Sequence, residues 1–167
     1  MFYKNKRKDI DLRDNTGFTL LLSVLIASIM LALGVSIFNI LSEQLIISDL
    51  GKQSQYAFYA ADTGLDCALY HDFQNNAFPT STSSGTIECA DSNRNISSSK
   101  VGGDEHEHIF HINLGSEHCA EVIVTKEVSG GLTTTEIESR GYNKGWTGSD
   151  CTDTHPKKLE RAIRVSY

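Results

Sequence analysis

Charged residues and proline are missing from a long stretch near the N-terminus. The chain has two prolines, Pro79 and Pro156, and residues 18–42 contain neither proline nor a charged side chain. As a helix rising about 1.5 Å per residue, this segment would be roughly 37 Å long, enough to cross a hydrocarbon core of about 30 Å. Its few polar residues do not gather on one side, whereas a core helix of a small soluble domain needs a polar face. The composition therefore predicts a transmembrane helix.

A secretory signal is the alternative explanation for this segment. Signals have a shorter apolar region, about 7 to 15 residues, followed by a small-residue cleavage site. Ala32, Gly34 and Ser36 could mimic such a site. Cleavage there would release a secreted ligand-binding or hydrolytic domain, so this alternative stays open.

The charges on the two flanks of the segment indicate its orientation. The preceding tail carries the basic residues Lys4, Lys6, Arg7, Lys8 and Arg13. The other flank begins with Glu43 and Asp49 and has only Lys52 nearby. Because basic flanks stay in the cytoplasm, we expect everything after about Glu43 to lie outside the membrane.

Patterns typical of enzymes and of nucleic-acid-binding proteins are absent as well. The G-x-S-x-G, P-loop and H-E-x-x-H motifs do not occur. The first seventeen residues hold five of the 15 basic and three of the 21 acidic side chains, so ten basic residues face eighteen acidic ones in the remainder. That balance lacks the basic stripe that binds nucleic acid. We expect no enzyme activity, no small-molecule substrate, no cofactor and no nucleic-acid partner.

The cysteines all follow the apolar segment, at Cys67, Cys89, Cys119 and Cys151. Disulfides form and persist in extracytoplasmic compartments, and no pair has the C-x2-4-C spacing that zinc sites usually show. Two disulfides are therefore favoured over a four-thiolate metal site. Of the three possible pairings, we favour Cys67 with Cys89 and Cys119 with Cys151, because each closes a local loop.

The helix is predicted to continue beyond the apolar segment. Residues 42–72 contain no proline, and Ala57, Ala61, Gly64 and Ala68 follow one another at helical spacing. Such a narrow stripe of small residues suits close packing against a sheet. We expect one helix of about 55 residues, roughly half in lipid and half packed on the domain.

The composition changes after this helix. Residues 75–104 are rich in Ser, Thr, Asn and Gly, which favours an irregular surface loop with one short strand around residues 86–89. Alternating apolar residues then predict strands at 108–114 and 119–127, a hairpin turn at 128–131, a third strand from Thr133 and a last one at 158–167. The order predicts an α+β fold, with a C-terminal antiparallel sheet of about four strands on the helix.

Two groups of polar residues raise the possibility of a metal site. On a strand, His106 and His108 would point the same way and could both bind a metal ion, with Glu105 or Glu107 as a secondary ligand. A hydrophilic strand end that faces solvent is the favoured interpretation.

Asn143, Asp150 and Asp153 form the second group, which a calcium ion could order, but they lack the spacing of a calcium loop. A disulfide-pinned surface loop is favoured, with Trp146 either covering the sheet or presented for contact. We predict no metal site.

The N-terminal segment and the start of the domain together resemble a known family. A short basic leader ends in Gly17, and Phe18 opens the run FTLLLSVLIASIMLALG. The stretch AFYAADTGLDCAL, residues 57–69, is similar to the AFxAAExGL segment of minor pilins of the PilX kind. With its long helix, irregular connection and C-terminal sheet, the whole chain resembles a type IV pilin or a type II secretion pseudopilin precursor.

The resemblance implies processing and assembly. A prepilin peptidase would cut after Gly17, and Phe18 would become the N-methylated first residue. The chain would then comprise a cleaved leader (1–17), a transmembrane and filament-core helix with its extension (18–53), and an extracytoplasmic globular domain (54–167). The implied partners are other pilin subunits, the prepilin peptidase and the inner-membrane assembly platform. The protein would pass from the cytoplasmic membrane into an extracellular filament on the cell surface.

Leu22 departs from the family pattern. Pilins usually carry glutamate at the fifth position of the mature chain, where it neutralises the charged N-terminus of a neighbouring subunit, and that position is Leu22 here. An unpaired ammonium in an apolar core costs several kcal/mol. Since minor pilins of the PilX kind and the tip pseudopilin similarly lack the glutamate, we expect a minor or tip subunit. A bitopic membrane-anchored binding or adhesion domain that never enters a filament is the alternative.

Overall fold

The computed structural model describes residues 16–115 and 117–167. Most of the expected leader, residues 1–15, lies outside this range. The described chain divides into two compact units, one up to Ser48 and one covering Asp49–Tyr167. The helix α1, Thr16–Asn75, contributes residues to both units, which are described separately.

The first unit consists of the apolar part of α1. No proline interrupts its hydrogen bonding, and nearly every described side chain up to Ser48 is exposed. The helix is long and apolar enough to cross a membrane, by its length and composition. The predicted transmembrane-capable helix is therefore present, and α1 as a whole has 60 residues against the expected length of about 55.

The second unit is an antiparallel sheet packed on the C-terminal part of α1, as the α+β prediction required. Its strands lie side by side in chain order, each paired with the next. They are β1 (Gly85–Cys89), β2 (Ser92–Gly102), β3 (Glu105–Asn113), β4 (Cys119–Ser129), β5 (Leu132–Tyr142) and β6 (Glu160–Ser166).

The sheet has six strands, so the prediction of about four was wrong. Of the two additional strands, β1 is the short strand expected around residues 86–89, whereas β2 lies in the part of that segment expected to be an irregular loop and forms a hairpin with β1. Its two central residues, Ala90 and Asp91, have φ of 49° and 55°, as in a type I′ turn but without the glycine that usually marks one. β2 buries only Ile96 fully toward the core. Backbone hydrogen bonds to β1 and β3 hold β2 in the sheet. Its sequence lacks the alternation of apolar residues from which a strand is predicted.

The predicted small-residue stripe lies against the sheet. Ala57, Ala61 and Ala68 are fully buried. A Cβ added at Gly64 would lie 2.8 Å from Cγ2 of Val122 and still closer to the Ser139 hydroxyl. The helix therefore packs so closely that a methyl group does not fit. The facing core comprises Phe110, Ile112, Ala120, Val122, Val124 and Ile137, which are alternating apolar residues of the strands predicted at 108–114 and 119–127 together with one residue from β5.

Candidate functional site

The residues expected to be processed lie in the first turn of α1. Gly17 and Phe18 directly follow Thr16, where the helix begins, and the Phe18 ring is 71% exposed. Leu22 is half-exposed one turn further on. The first turn contains no acidic residue, and the first carboxylate after Gly17 in the sequence belongs to Glu43. This part of the helix therefore offers an apolar surface without a partner for a neighbouring cation.

Several serine side chains of the apolar segment bond to their own helix. The hydroxyl groups of Ser23 and Ser28 each donate a 2.8 Å hydrogen bond to the carbonyl oxygen three residues earlier, at Leu20 and Leu25. Such internal bonds let serine lie in an apolar environment, where no water is present to bond the hydroxyl. Ser23 and Ser28 therefore interrupt the apolar surface of this segment less than their composition suggests.

Two disulfides clamp the second unit. Cys67 of α1 bonds to Cys89 of β1, and Cys119 of β4 bonds to Cys151 in the loop before β6. These are the pairings favoured from the sequence. In each bridge the Cα atoms are 6.0 Å apart. On the chain-entropy account, loops with separations of 22 and 32 residues each contribute about 3 to 4 kcal/mol to stability.

His108 is a core residue, so its expected position at a solvent-facing strand end was wrong. It is fully buried on the face of β3 that also carries Phe110 and Ile112. Its Nε2 lies 2.8 Å from the Pro79 carbonyl oxygen, and its Nδ1 lies 2.7 Å from Oγ of Ser98. Both ring nitrogens therefore have protein partners. Burial is the main cause that lowers the pKa of His108 below its ordinary value.

Two of the three residues considered for calcium, Asn143 and Asp150, bond to separate partners. Asn143 is fully buried, where its amide donates to Oε1 of Gln53 and its Oδ1 accepts from the Leu159 backbone. Hydrogen bonds from Thr147 and Thr152 lower the pKa of Asp150 to about 2. Among the residues that the structure describes, none of these hydrogen bonds joins the side chains of Asn143 and Asp150. Their roles are structural: Asn143 anchors the loop to α1, and Asp150 closes a tight turn.

Trp146 both covers a small core and borders a cleft. Its ring packs on a cluster formed by Tyr142 and the Cys119–Cys151 disulfide. The Arg94 guanidinium lies 5.5 Å from the indole centroid. The cleft is lined by Glu117, Lys144, Gly145, Trp146, Asp153 and His155. Trp146 is therefore half-buried and covers this end of the sheet, which is one of the two alternatives predicted for it. Its presentation for contact stays a prediction.

Sequence reasoning missed one histidine that lies beside the first disulfide. His71 follows Cys67 by four residues on α1, and it is the histidine that lies close to both Cys67 and Cys89. The signal that could have found it is the C-x3-H spacing, which places both side chains on one face of a helix. No protein-family model, curated protein or solved structure matches the chain.

Proposed function

We propose that the protein is a structural subunit of a type IV pilus-like filament, in a minor or tip position. The observation that carries the proposal is that one helix has two different surfaces along its length. Up to Ser48 its side chains are apolar and exposed, whereas Ala57, Ala61 and Ala68 are buried under a disulfide-bonded sheet. Such a helix can hold a domain in a membrane first and later exchange lipid for similar helices.

Assembly would proceed without catalysis by this chain. A peptidase would remove the leader after Gly17, and the new N-terminus at Phe18 would remain on the apolar helix. Apolar helices associate in lipid or in a filament core through close packing, since both surroundings are equally apolar. The internal bonds of Ser23 and Ser28 support this role, because each of these two hydroxyl groups donates within the helix and not to water.

The minor or tip position is supported by Leu22. In a repeating subunit, every charged N-terminus would enter the apolar core beside Leu22 of its neighbour, at a cost of several kcal/mol per interface. A subunit used once, at the end of a filament, avoids most of that cost. Glu43, the first carboxylate after the leader in the sequence, is about seven turns of helix away from Phe18.

The test is N-terminal and intact-mass analysis of the protein from membranes and from sheared filaments of the native cell. We expect a chain that begins at methylated Phe18 and is present in trace amounts in the sheared fraction. Near-equal abundance with the main filament protein would instead identify a major subunit. An uncut chain confined to membranes would overturn the proposal and leave a membrane-anchored binding domain.

A Gly17→Val variant sharpens this test. Blocking the cut should leave the full-length mass in membranes and remove the protein from the sheared fraction. Gly34→Val is the matched control, because it makes the same change within the apolar helix but away from the expected cleavage site. Processing of the Gly17→Val chain at an unchanged rate would contradict the predicted site.

A further inference from the structure

Three potential metal ligands meet where the C-terminal part of α1 passes β1. Cys67 and His71 lie one helical turn apart, and Cys89 is the last residue of β1. The two sulfur atoms and one ring nitrogen of His71 all lie within 4.8 Å of one another. Cys89 and His71 are buried. Among the described residues, this is the group of cysteine, histidine and carboxylate side chains close enough to share one metal ion.

Hydrogen bonds hold His71 in position beside the disulfide. The Asn75 amide nitrogen lies 2.9 Å from Nδ1, and the Glu88 carbonyl oxygen lies 2.9 Å from Nε2. An amide nitrogen can only donate and a carbonyl can only accept, so Nδ1 is the acceptor and Nε2 carries the proton. The Glu88 carbonyl oxygen that accepts from Nε2 also lies 3.9 Å from the sulfur of Cys67, so Nε2 and this sulfur border the same carbonyl group.

We propose that reduction of the Cys67–Cys89 disulfide turns this place into a zinc site. Its ligands are the two thiolates and Nε2 of His71, with the fourth position open to water. A dithiol reductant supplies two electrons and two protons, becomes a disulfide itself and leaves two cysteine thiols. Zn²⁺ then replaces both thiol protons, which pass to solvent. Two sulfurs, one imidazole and an open position make a known tetrahedral arrangement for zinc.

Asn75 is suited to support His71 in both states. When a metal takes the lone pair of Nε2, the ring proton must reside on Nδ1, which then needs an acceptor. Rotation of the Asn75 side-chain amide by half a turn presents its Oδ1 in place of its nitrogen. The same residue therefore donates to Nδ1 in the disulfide state and accepts from Nδ1–H in the zinc state.

The disulfide and the zinc ion would each link α1 to β1. The disulfide links α1 to β1 across 22 residues of sequence, and a zinc ion on the same sulfurs would close the same loop. Oxidation would release the metal, and bound metal would shield the thiolates from oxidation. Metal binding at this site therefore depends on the redox state of Cys67 and Cys89. The inference does not depend on the proposed filament role.

Cobalt is the most direct probe, because Co²⁺ bound by thiolates in a tetrahedral site is coloured. The full-length chain carrying Cys119→Ser and Cys151→Ser would be purified in detergent micelles, reduced, freed of reductant without oxygen and titrated with Co²⁺. We expect one ion per chain, with thiolate charge-transfer bands and intense visible bands that Zn²⁺ abolishes. The oxidised protein should show neither.

Variants distinguish a metal site that includes His71 and Asn75 from adventitious metal binding by the two thiolates alone. His71→Ala should weaken Co²⁺ binding more than tenfold, and Asn75→Leu should weaken it about 10- to 100-fold, the range for loss of a residue that orients a ligand. His111→Ala is the matched control, because His111 lies on the outward face of β3 and pairs with Glu121. Its affinity should be unchanged.

Several outcomes would overturn the proposal. These are the absence of thiolate bands in the reduced chain, equal affinity after His71→Ala, and equal affinity after unfolding in urea. Should the double serine variant fail to fold by circular dichroism, the wild-type chain would be reduced instead. It would then be compared with Cys67→Ser/Cys89→Ser, and retention of the bands in that variant would equally exclude the site.

Discussion

The phenol of Tyr167, the last residue of the chain, donates a 2.7 Å hydrogen bond to the carboxylate of Asp72 on α1. Backbone bonds of 2.8 and 3.0 Å to Thr135 hold the same residue at the edge of the sheet. Its ring stacks on Phe73, with centroids 4.9 Å apart. Burial and the bond to Asp72 raise the pKa of the Tyr167 phenol. The C-terminus therefore fastens β6 and the helix together across 95 residues of sequence.

Removing one hydroxyl tests this attachment. Tyr167→Phe should lower the free energy of unfolding by about 1.5 to 3 kcal/mol, because a hydrogen bond to a charged group is lost. The measurement is urea unfolding of the full chain in micelles, followed by the fluorescence of Trp146, the single tryptophan. Tyr59→Phe is the matched control, since Tyr59 is 63% exposed. Equal effects of the two changes would contradict the assignment.

The ion pair beneath Tyr167 should behave as a buried pair. Nζ of Lys126 lies 2.7 Å from Oδ1 of Asp72, and both side chains are largely buried. Asp72→Leu should cost about 3 to 5 kcal/mol, because it leaves the Lys126 ammonium buried without a counter-charge. Adding Lys126→Met should recover part of that loss. A double variant no more stable than Asp72→Leu alone would show that the ammonium is not the cause.

Close packing of α1 on the sheet should make two glycines respond in opposite ways to alanine. Gly64→Ala should cost about 1 to 3 kcal/mol, because the new methyl group meets Val122 and Ser139. Apart from its chain neighbours and the backbone of its own helix, no described atom lies within 4 Å of a Cβ placed at Gly51. There the same change should stabilise the helix by about 0.5 to 1 kcal/mol. Thermal unfolding by circular dichroism measures both, and stabilisation by Gly64→Ala would contradict the packing.

His108 should make stability fall as the pH drops below neutral. Burial lowers its pKa in the folded state from the ordinary value of 6.5, with Lys126 and His106 adding to the decrease and the bond to Pro79 and the Asp72 charge opposing it. As the pH falls, His108 therefore becomes protonated near pH 6.5 in the unfolded chain but only at a lower pH in the folded chain. Stability is lost from about that pH down to the folded pKa, by up to about 1.4 kcal/mol per pH unit.

Replacing the imidazole isolates this contribution. His108→Gln should be less stable at pH 7.5 but should show a flatter decline between pH 7 and 5 in urea titrations. The decline at still lower pH should remain, because pairing with Arg140 and Arg164 lowers the pKa of Glu138, and that carboxylate is protonated only in acid. An unchanged slope in His108→Gln would exclude His108 as the sensor.

Leu22→Glu tests the proposed position in a filament. A carboxylate at the fifth mature residue would offer a partner to the charged N-terminus of a neighbouring subunit, so the share of protein in sheared filaments should rise. Leu25→Glu is the matched control, since it adds the same charge about one turn further along α1. Equal gains from both variants would mean that charge alone, and not pairing at this position, drives incorporation.

The elements predicted correctly from the sequence are those with a strong local pattern. The spacing of Ala57, Ala61 and Ala68 predicted the buried face of α1, and the alternation along β3 and β4 predicted their inward faces. β2 was missed because ten of its 11 residues are not fully buried and its order comes from pairing with two neighbours. His108 was misplaced for a related reason: its polarity suggested solvent, although the register of β3 put it in line with Phe110.

Composition and spacing alone determined that this protein has a long apolar helix, a sheet and four cysteines in a setting that favours disulfides, because each of these properties depends on residues close together in the chain. Only the tertiary structure decided which polar groups become buried and whom they meet. The register between β2 and β3 sets Ser98 opposite His108. The path of α1 across the sheet brings Asp72 to Tyr167 and His71 to Cys89. Such contacts join residues far apart in sequence, so only the assembled core defines them.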